Sequence, residues 1–212
     1  MNGEGEKSMG GDIDRMTLTP AGPDDADELM TLWMDAFPLK FAHVMGDSAL
    51  PILREWFEHV PRIFEHTHLA RVDGVCTGYI QFRFADGPRM TDGLCALWST
   101  VQRRLGFRRT VICMLRLAHG EINGPRAGEL YIKMLGVRAD CRGRGVGSAL
   151  LNFAETHARD RGLQRLCLGV VSENSGAIRL YERYGFKRGA EHRFLVRWSS
   201  GSPGYYVMTK DL

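Results

Sequence analysis

VRADCRGRGVGSALL, Val137 to Leu151, changes periodicity in its middle, and that change decides the fold. Just before it, Leu130 to Val137 is an apolar run of strand length carrying Ile132 and Val137. A polar turn follows, Arg138 to Arg142, and glycines then alternate at Gly143, Gly145 and Gly147. From Val146 the apolar positions Val146, Ala149, Leu150, Phe153, Ala154 and His157 recur at three- and four-residue spacings, the period of a helix. The stretch therefore predicts a strand, a glycine loop and a helix N-terminus. Glycines let a ligand approach the backbone, and the free N–H groups and positive dipole end of the first helical turn suit a phosphate or pyrophosphate. Arg142 and Arg144 add positive charge where the anion would sit.

Several anion loops compete for this stretch. A P-loop needs Lys and then Ser or Thr after its last glycine, and Ser148-Ala149 after Gly147 excludes it. A dinucleotide fingerprint needs G-x-G-x-x-G, which the evenly spaced glycines do not supply, and no acidic residue on a following strand is evident. A plain helix start remains a reading of the loop alone. A second segment narrows the choice. After a strand-like run, Arg165 to Val171, comes SENSGAIRLYERYGF, in which Asn174, Ala177, Leu180, Tyr181 and Tyr184 lie along one helical stripe until Gly185 and Phe186 end it.

RGRGVG resembles the pyrophosphate loop of the GNAT superfamily of N-acetyltransferases: Gln or Arg, two residues, Gly, one residue, then Gly or Ala. Arg142, Gly145 and Gly147 match it. The second segment is similar to the family's other cofactor segment, an Asn, an Ala three on, Leu-Tyr, then Gly-Phe. Both motifs occur in the right order, one helix and one strand apart, and the resemblance covers about Leu130 to Arg188. It implies a mixed α/β (α+β) fold with a mostly antiparallel sheet, splayed between strands 4 and 5 and flanked by helices. It also implies acetyl-CoA as cosubstrate.

The resemblance assigns roles. Backbone amides of Arg142, Gly143, Arg144, Gly145, Val146, Gly147 and Ser148 would hold the pyrophosphate. The strand edge at Leu135, Gly136 and Val137 would pair with the pantetheine arm and offer an N–H to the thioester oxygen, and Asn174 would bond the arm. Tyr181 matches the tyrosine that commonly acts as general acid toward the coenzyme A sulfur; simple packing on its buried stripe is the other reading. Tyr131 stands where relatives often carry a Glu or His base. Glu129, two residues away on the same strand face, could take the amine proton through water or through Tyr131. Lys133 shares that alternation, and a purely structural Tyr-Lys-Glu rim is an equal alternative. Gly136, awkward within a strand, is read as a bulge that opens a slot.

The remaining chain supplies a frame. Residues 1–13 are glycine-rich and polar and read as a disordered leader, with a single domain over 14–212. Met16 to Thr19 is a short strand. Asp24 and Asp25 cap a helix with an apolar stripe of Leu29, Met30, Trp33 and Phe37, which Pro38 ends. In the family this region borders the acceptor, so Phe37 to Asp47, with Phe41, His43 and Met45, is a candidate substrate contact or ordinary loop packing. A second helix spans Ser48 to His59, burying Leu53, Trp56, Phe57 and Val60, with Pro51 tolerated in its first turn. His68 to Val72 and Val75 to Phe84 flank Asp73-Gly74, a hairpin signal. Residues 86–128 read as a helical insertion, with helices over Leu94 to Leu105 and about Thr110 to Ala118. Its Arg103, Arg104, Arg108, Arg109 and Arg116 are a solvated face or the lining of an acceptor site that favours an anionic partner. Ala190 to Trp198 and Tyr205 to Lys210 form a closing antiparallel pair, with Arg193, Arg197, Tyr205 and Tyr206 as cleft or surface residues.

Composition sets outer limits. The 212 residues suffice for one domain and its core, and a net charge of +3 gives no reason to invoke nucleic acid or membrane. Cys76, Cys95, Cys113, Cys141 and Cys167 are odd in number and form no C-x-x-C pair, which suits a reduced cytoplasmic setting. Cys141 beside the loop reads as a bystander thiol, and His59, His66 and His68 lack ligand spacing, so no metal is expected. The expected activity is acetyl transfer from acetyl-CoA to a primary amine, small-molecule or peptide, by direct attack. Rivals are an acyl-CoA-binding module without catalysis, transfer of longer acyl chains and a nucleic-acid role for the insertion; homodimerisation is left open.

Overall fold

The computed structural model describes residues 14–37, 45–59, 61–87, 94–119, 124–193 and 203–212. The expected leader at 1–13, the acceptor-side stretch at 38–44, Val60 and the segment 194–202 lie outside these residues.

Among the described residues seven strands form one sheet: β1 (Met16–Pro20), β2 (Thr67–Val72), β3 (Val75–Arg83), β4 (Glu129–Val137), β5 (Arg165–Val171), β6 (Lys187–Arg193) and β7 (Gly204–Asp211), in the order β1-β2-β3-β4-β5-β7-β6. All neighbours are antiparallel except β4 and β5. The β2–β3 hairpin turns on Asp73 and Gly74, both with positive φ (51° and 79°), the combination whose twist matches that of the flanking strands. β6 begins at Lys187, three residues before the expected Ala190, and β7 inserts between it and β5.

Among the described residues five helices cover the two faces. α1 (Ala26–Ala36) and α2 (Ala49–His59) bury Leu29, Met30, Trp33, Ile52, Leu53 and Phe57 in one core with Leu69, Tyr79 and Met134 of the sheet. Asp24 and Asp25 fall in a short 3-10 turn, Pro23–Asp25, so α1 starts one residue after them. α3 (Leu94–His119), between β3 and β4, is broken at Gly106 (φ 74°, ψ 165°) and therefore consists of two helical segments. Its Arg103 and Arg104 both reach Glu55 of α2, which accounts for part of the basic character of this stretch. α4 (Val146–Asp160) and α5 (Ser175–Arg183) pack on the other face, where Leu150, Leu151, Ala154 and Ile178 meet Ile80, Phe82, Leu130 and Ile132.

Two irregularities in β4 position the site. Parallel pairing with β5 runs from Glu129↔Arg165 to Ile132↔Leu168 and then stops, so the two strands diverge beyond Ile132. On the β3 side, Gln81 pairs with Met134 and Phe82 with Ile132, which leaves Lys133 as the extra residue of a β-bulge. The bulge is thus at Lys133 and not at Gly136. It reverses the alternation: Leu130 and Ile132 enter the core under α4, whereas Met134 enters the core under α1. Lys133 consequently leaves the alternation that would have aligned it with Glu129 and Tyr131, and its side chain is exposed.

Candidate active site

β4 delivers the chain to the glycine loop, and the loop starts α4. Gly145 is the N-cap residue with φ 88°, a left-handed conformation that a side chain would disfavour, and Gly143 has φ 78°. The first helical bond is donated by Ala149 to the Gly145 carbonyl, so the amides of Val146, Gly147 and Ser148 precede the ladder and point out of the helix end. Gly147 serves a different purpose. A Cβ there would stand 3.0 Å from Leu180 Cδ2, so this glycine lets α5 close onto the start of α4.

The loop is braced from α1. The Ala139 N–H donates to Asp35 Oδ2 at 2.7 Å, and Arg142 donates through Nε to the Val137 carbonyl at 3.0 Å and through its terminal nitrogen to the Asp35 carbonyl at 3.2 Å. Arg142 Nη2 also lies 3.5 Å from Asp35 Oδ2. Arg142 therefore shapes the loop with the same donors that the sequence reading aimed at an anion. Cys141 is buried, and its thiol donates to Asp140 Oδ1 at 3.3 Å. Burial and the Asp140 bond push its ionisation upward, the wrong direction for a nucleophile.

Two tyrosines, one from each core, lie close enough to interact electrostatically. Tyr181, on α5, is buried next to Phe186, and burial raises its phenol to about 12. It therefore holds its proton at neutral pH and can donate it in a hydrogen bond. Tyr79, on β3, pairs with Gly136 and is fully buried. A Cβ on Gly136 would stand 2.4 Å from Tyr79 Cε1 and 2.8 Å from the Ala36 methyl, so the missing side chain admits the Tyr79 ring across β4. The Tyr79 hydroxyl has no hydrogen-bond partner among the described residues. Such an orphan costs about 1–3 kcal/mol. Burial first, and then the nearby Tyr181, raise its phenol well above the ordinary value. Sequence reasoning missed Tyr79, because nothing local marks a tyrosine in mid-strand; the only signal was Gly136, the residue it packs on.

Asn174 caps α5, its Oδ1 accepting from the Ala177 N–H at 3.1 Å, which leaves the amide NH2 to donate. Tyr131 is buried within the paired part of β4, one residue before the pairing with β5 ends. Glu129 sits farther back, opposite Arg165. One of its carboxylate oxygens lies 3.4 Å from Arg165 and the other accepts from the Arg126 N–H at 3.1 Å. At ~3.3 Å per residue, Glu129 is ~13 Å along the strand from the Lys133 bulge. The structure thus separates it from the slot and engages it in holding the strand start. His59 is exposed with Nδ1 on the Glu55 carbonyl, while His66 and His68 lie near aromatic rings. Among the described residues no three His, Cys, Asp or Glu side chains are arranged to hold a metal ion.

Comparison with known proteins places this arrangement. The model of the Acetyltransferase (GNAT) family matches residues 26–186. Mycothiol acetyltransferase of Salinispora arenicola is 43% identical over 75 residues, 35% of this chain and 24% of that protein. That of Geodermatophilus obscurus is 44% identical over 76 residues, 35% of this chain and 23% of that protein. The matched part thus spans about a quarter of these relatives' length. PaiA N-acetyltransferase of Thermoplasma acidophilum, solved in complex with coenzyme A, superposes with a TM-score of 0.59 at 14% identity, covering 93% of this chain and 99% of that one. Arabidopsis thaliana Naa50, solved with a bisubstrate analogue, CoA-Ac-MVNAL, gives 0.58 at 20% identity over 93% and 99%. Loop, slot, fold and family match agree, and the chain belongs to the GNAT acetyltransferase family.

Proposed function

We propose that the protein transfers an acetyl group from acetyl-CoA to a primary amine by direct attack. The observation that carries this reading is the divergence of β4 from β5 beyond Ile132, directly ahead of a glycine loop whose helix amides are free to receive a pyrophosphate. The arm of the cosubstrate would lie along Leu135 to Val137, on the edge that β5 does not pair, with the Asn174 NH2 group beside it. The neutral amine attacks the thioester carbon, the N–C bond forms, the C–S bond breaks, and nitrogen gives up one proton.

Tyr181 is the donor toward the sulfur. A thiol of the cysteine type ionises near ~8.5, below the value of about 12 for this phenol, so complete transfer of the Tyr181 proton is uphill by ~5 kcal/mol. Tyr181 therefore stabilises the departing thiolate by hydrogen bonding before the thiolate takes up a proton. Because Glu129 is engaged by Arg165, no carboxylate base is assigned; Tyr131 borders the slot, and the amine proton leaves toward solvent.

Calorimetric titration with acetyl-CoA and free coenzyme A tests the reading. Micromolar binding, ~8 kcal/mol, that Gly145→Glu and Gly147→Glu together abolish is expected. Tyr181→Phe should keep that affinity and lower kcat with amine acceptors about 10- to 100-fold. Absence of binding by the natural sequence would sink the transferase reading. Binding without turnover of any amine, or of the thioester by water, would instead favour the acyl-CoA-binding module.

A further inference from the structure

We propose that the Tyr79 hydroxyl donates a hydrogen bond to the thioester carbonyl of the acyl-CoA held between β4 and β5, a substrate contact supplied by β3. The inference rests on the acetyl-CoA reading above. Tyr79 is fully buried, and its hydroxyl is unpartnered among the described residues. Buried polar groups in native proteins nearly always have a partner, and those without one call for an explanation. A second observation says where the partner would come from. The ring lies over Gly136, inside the same Leu135–Val137 edge that would receive the pantetheine arm, and that edge has lost its pairing with β5. The third is the company it keeps. Tyr181, which belongs to the core on the opposite face of the sheet, is close enough to Tyr79 for the two phenols to interact electrostatically.

A carbonyl oxygen fits this position, because it can accept the one hydrogen that the phenol has to give. A buried phenol held in its protonated form offers one O–H, and the ligand atom that gains negative charge as the amine attacks is the thioester oxygen. A strand N–H at the β4 edge and the Tyr79 O–H would then share that oxygen. Tyr181 is left to face the sulfur.

The test uses the full chain and the isosteric variant Tyr79→Phe, which keeps the ring over Gly136 and removes only the hydroxyl. Affinities for acetyl-CoA and for free coenzyme A are measured by calorimetry, and thermal unfolding is followed without ligand. The expected result is an acetyl-CoA affinity lowered about tenfold and a free coenzyme A affinity changed less than twofold. The midpoint of unliganded unfolding should be equal to or above that of the natural sequence, because an unsatisfied hydroxyl has been removed. An unchanged acetyl-CoA affinity overturns the proposal. So does an equal loss for both ligands, or a fall in the unfolding midpoint, which would give the hydroxyl a structural role. If the natural sequence binds neither ligand, the acetyl-CoA reading itself fails and takes this contact with it.

Discussion

Gly136 and Tyr79 act as one packing unit, and at the residue scale they carry the clearest stability prediction. Gly136→Ala places a methyl 2.4 Å from Tyr79 Cε1 and 2.8 Å from the Ala36 methyl, neither of which is the end of a flexible chain. Overpacking of this kind costs about 1–3 kcal/mol, and here it also turns the Tyr79 ring away from the slot. Chemical denaturation should show that loss, and acetyl-CoA affinity should fall with it; a variant within ~0.5 kcal/mol of the natural sequence would contradict the close-contact account. The same position marks how far the sequence was legible. A glycine inside an apolar strand announced an exception, but a bulge and a close approach look alike in one dimension. Only the register, in which Gln81 and Phe82 face Met134 and Ile132, moves the bulge to Lys133. Glu129 shows a related limit: period-2 alternation put it on the face of Tyr131, yet alternation is silent about Arg165, 36 residues away, which engages its carboxylate.

Elements defined by their own period were legible almost to the residue. β5 and the start of α4 fall where the apolar pattern placed them, and the break at Gly106 separates the two helices expected in the β3–β4 connection. The insertion of β7 between β5 and β6 was not legible, since strand order depends on contacts far apart in sequence. The brace between α1 and the loop was also hidden. Asp35 accepts from the Ala139 N–H and lies beside Arg142, so it fixes the turn that leads into the pyrophosphate amides, but its charge opposes an anionic ligand. These effects have opposite signs, and two substitutions separate them. Asp35→Asn keeps an oxygen for the Ala139 N–H and removes the charge, so coenzyme A should bind as well as before or a few-fold more tightly, the scale of an exposed charge interaction of ~0.2–1 kcal/mol. Asp35→Ala removes the brace as well, and coenzyme A should bind several-fold more weakly than to Asp35→Asn. Calorimetry of both variants decides the matter; equal affinities would mean that the brace does not organise the loop.

At the scale of the whole molecule, two cores on opposite faces of one sheet meet at the slot, and the core under α4 ends in an aromatic cluster that ties stability to pH. His157 of α4 stacks on Phe82 at 5.0 Å between centroids and lies 5.6 Å from His68. Arg161 is 3.1 Å from His157 Nδ1, and as an obligate donor it selects the neutral ring with its proton on Nε2. Burial first, and then Arg161 and His68, lower His157 to about 4, and burial followed by His66 lowers His68. A histidine lowered in the folded state binds its proton more readily when unfolded. Its contribution is therefore fully present above pH ~6.5 and is lost as pH falls from there toward 4. Glu155, lowered to about 2 chiefly by its hydrogen bond from Lys210, destabilises the fold only below its unfolded value near 4.5, so between pH 6.5 and 5 the histidines dominate the acid limb. Thermal unfolding at pH 7.5, 6.5, 5.5 and 5.0 should show a midpoint that declines steadily in the natural sequence. In His157→Phe, which keeps an aromatic ring among Phe82 and Phe153 and cannot be protonated, the decline should be visibly shallower. Coincident declines would assign the acid limb to groups outside this cluster, whereas a shallower one makes the α4 core, which also carries the loop on its first turn, the acid-sensitive half of the molecule.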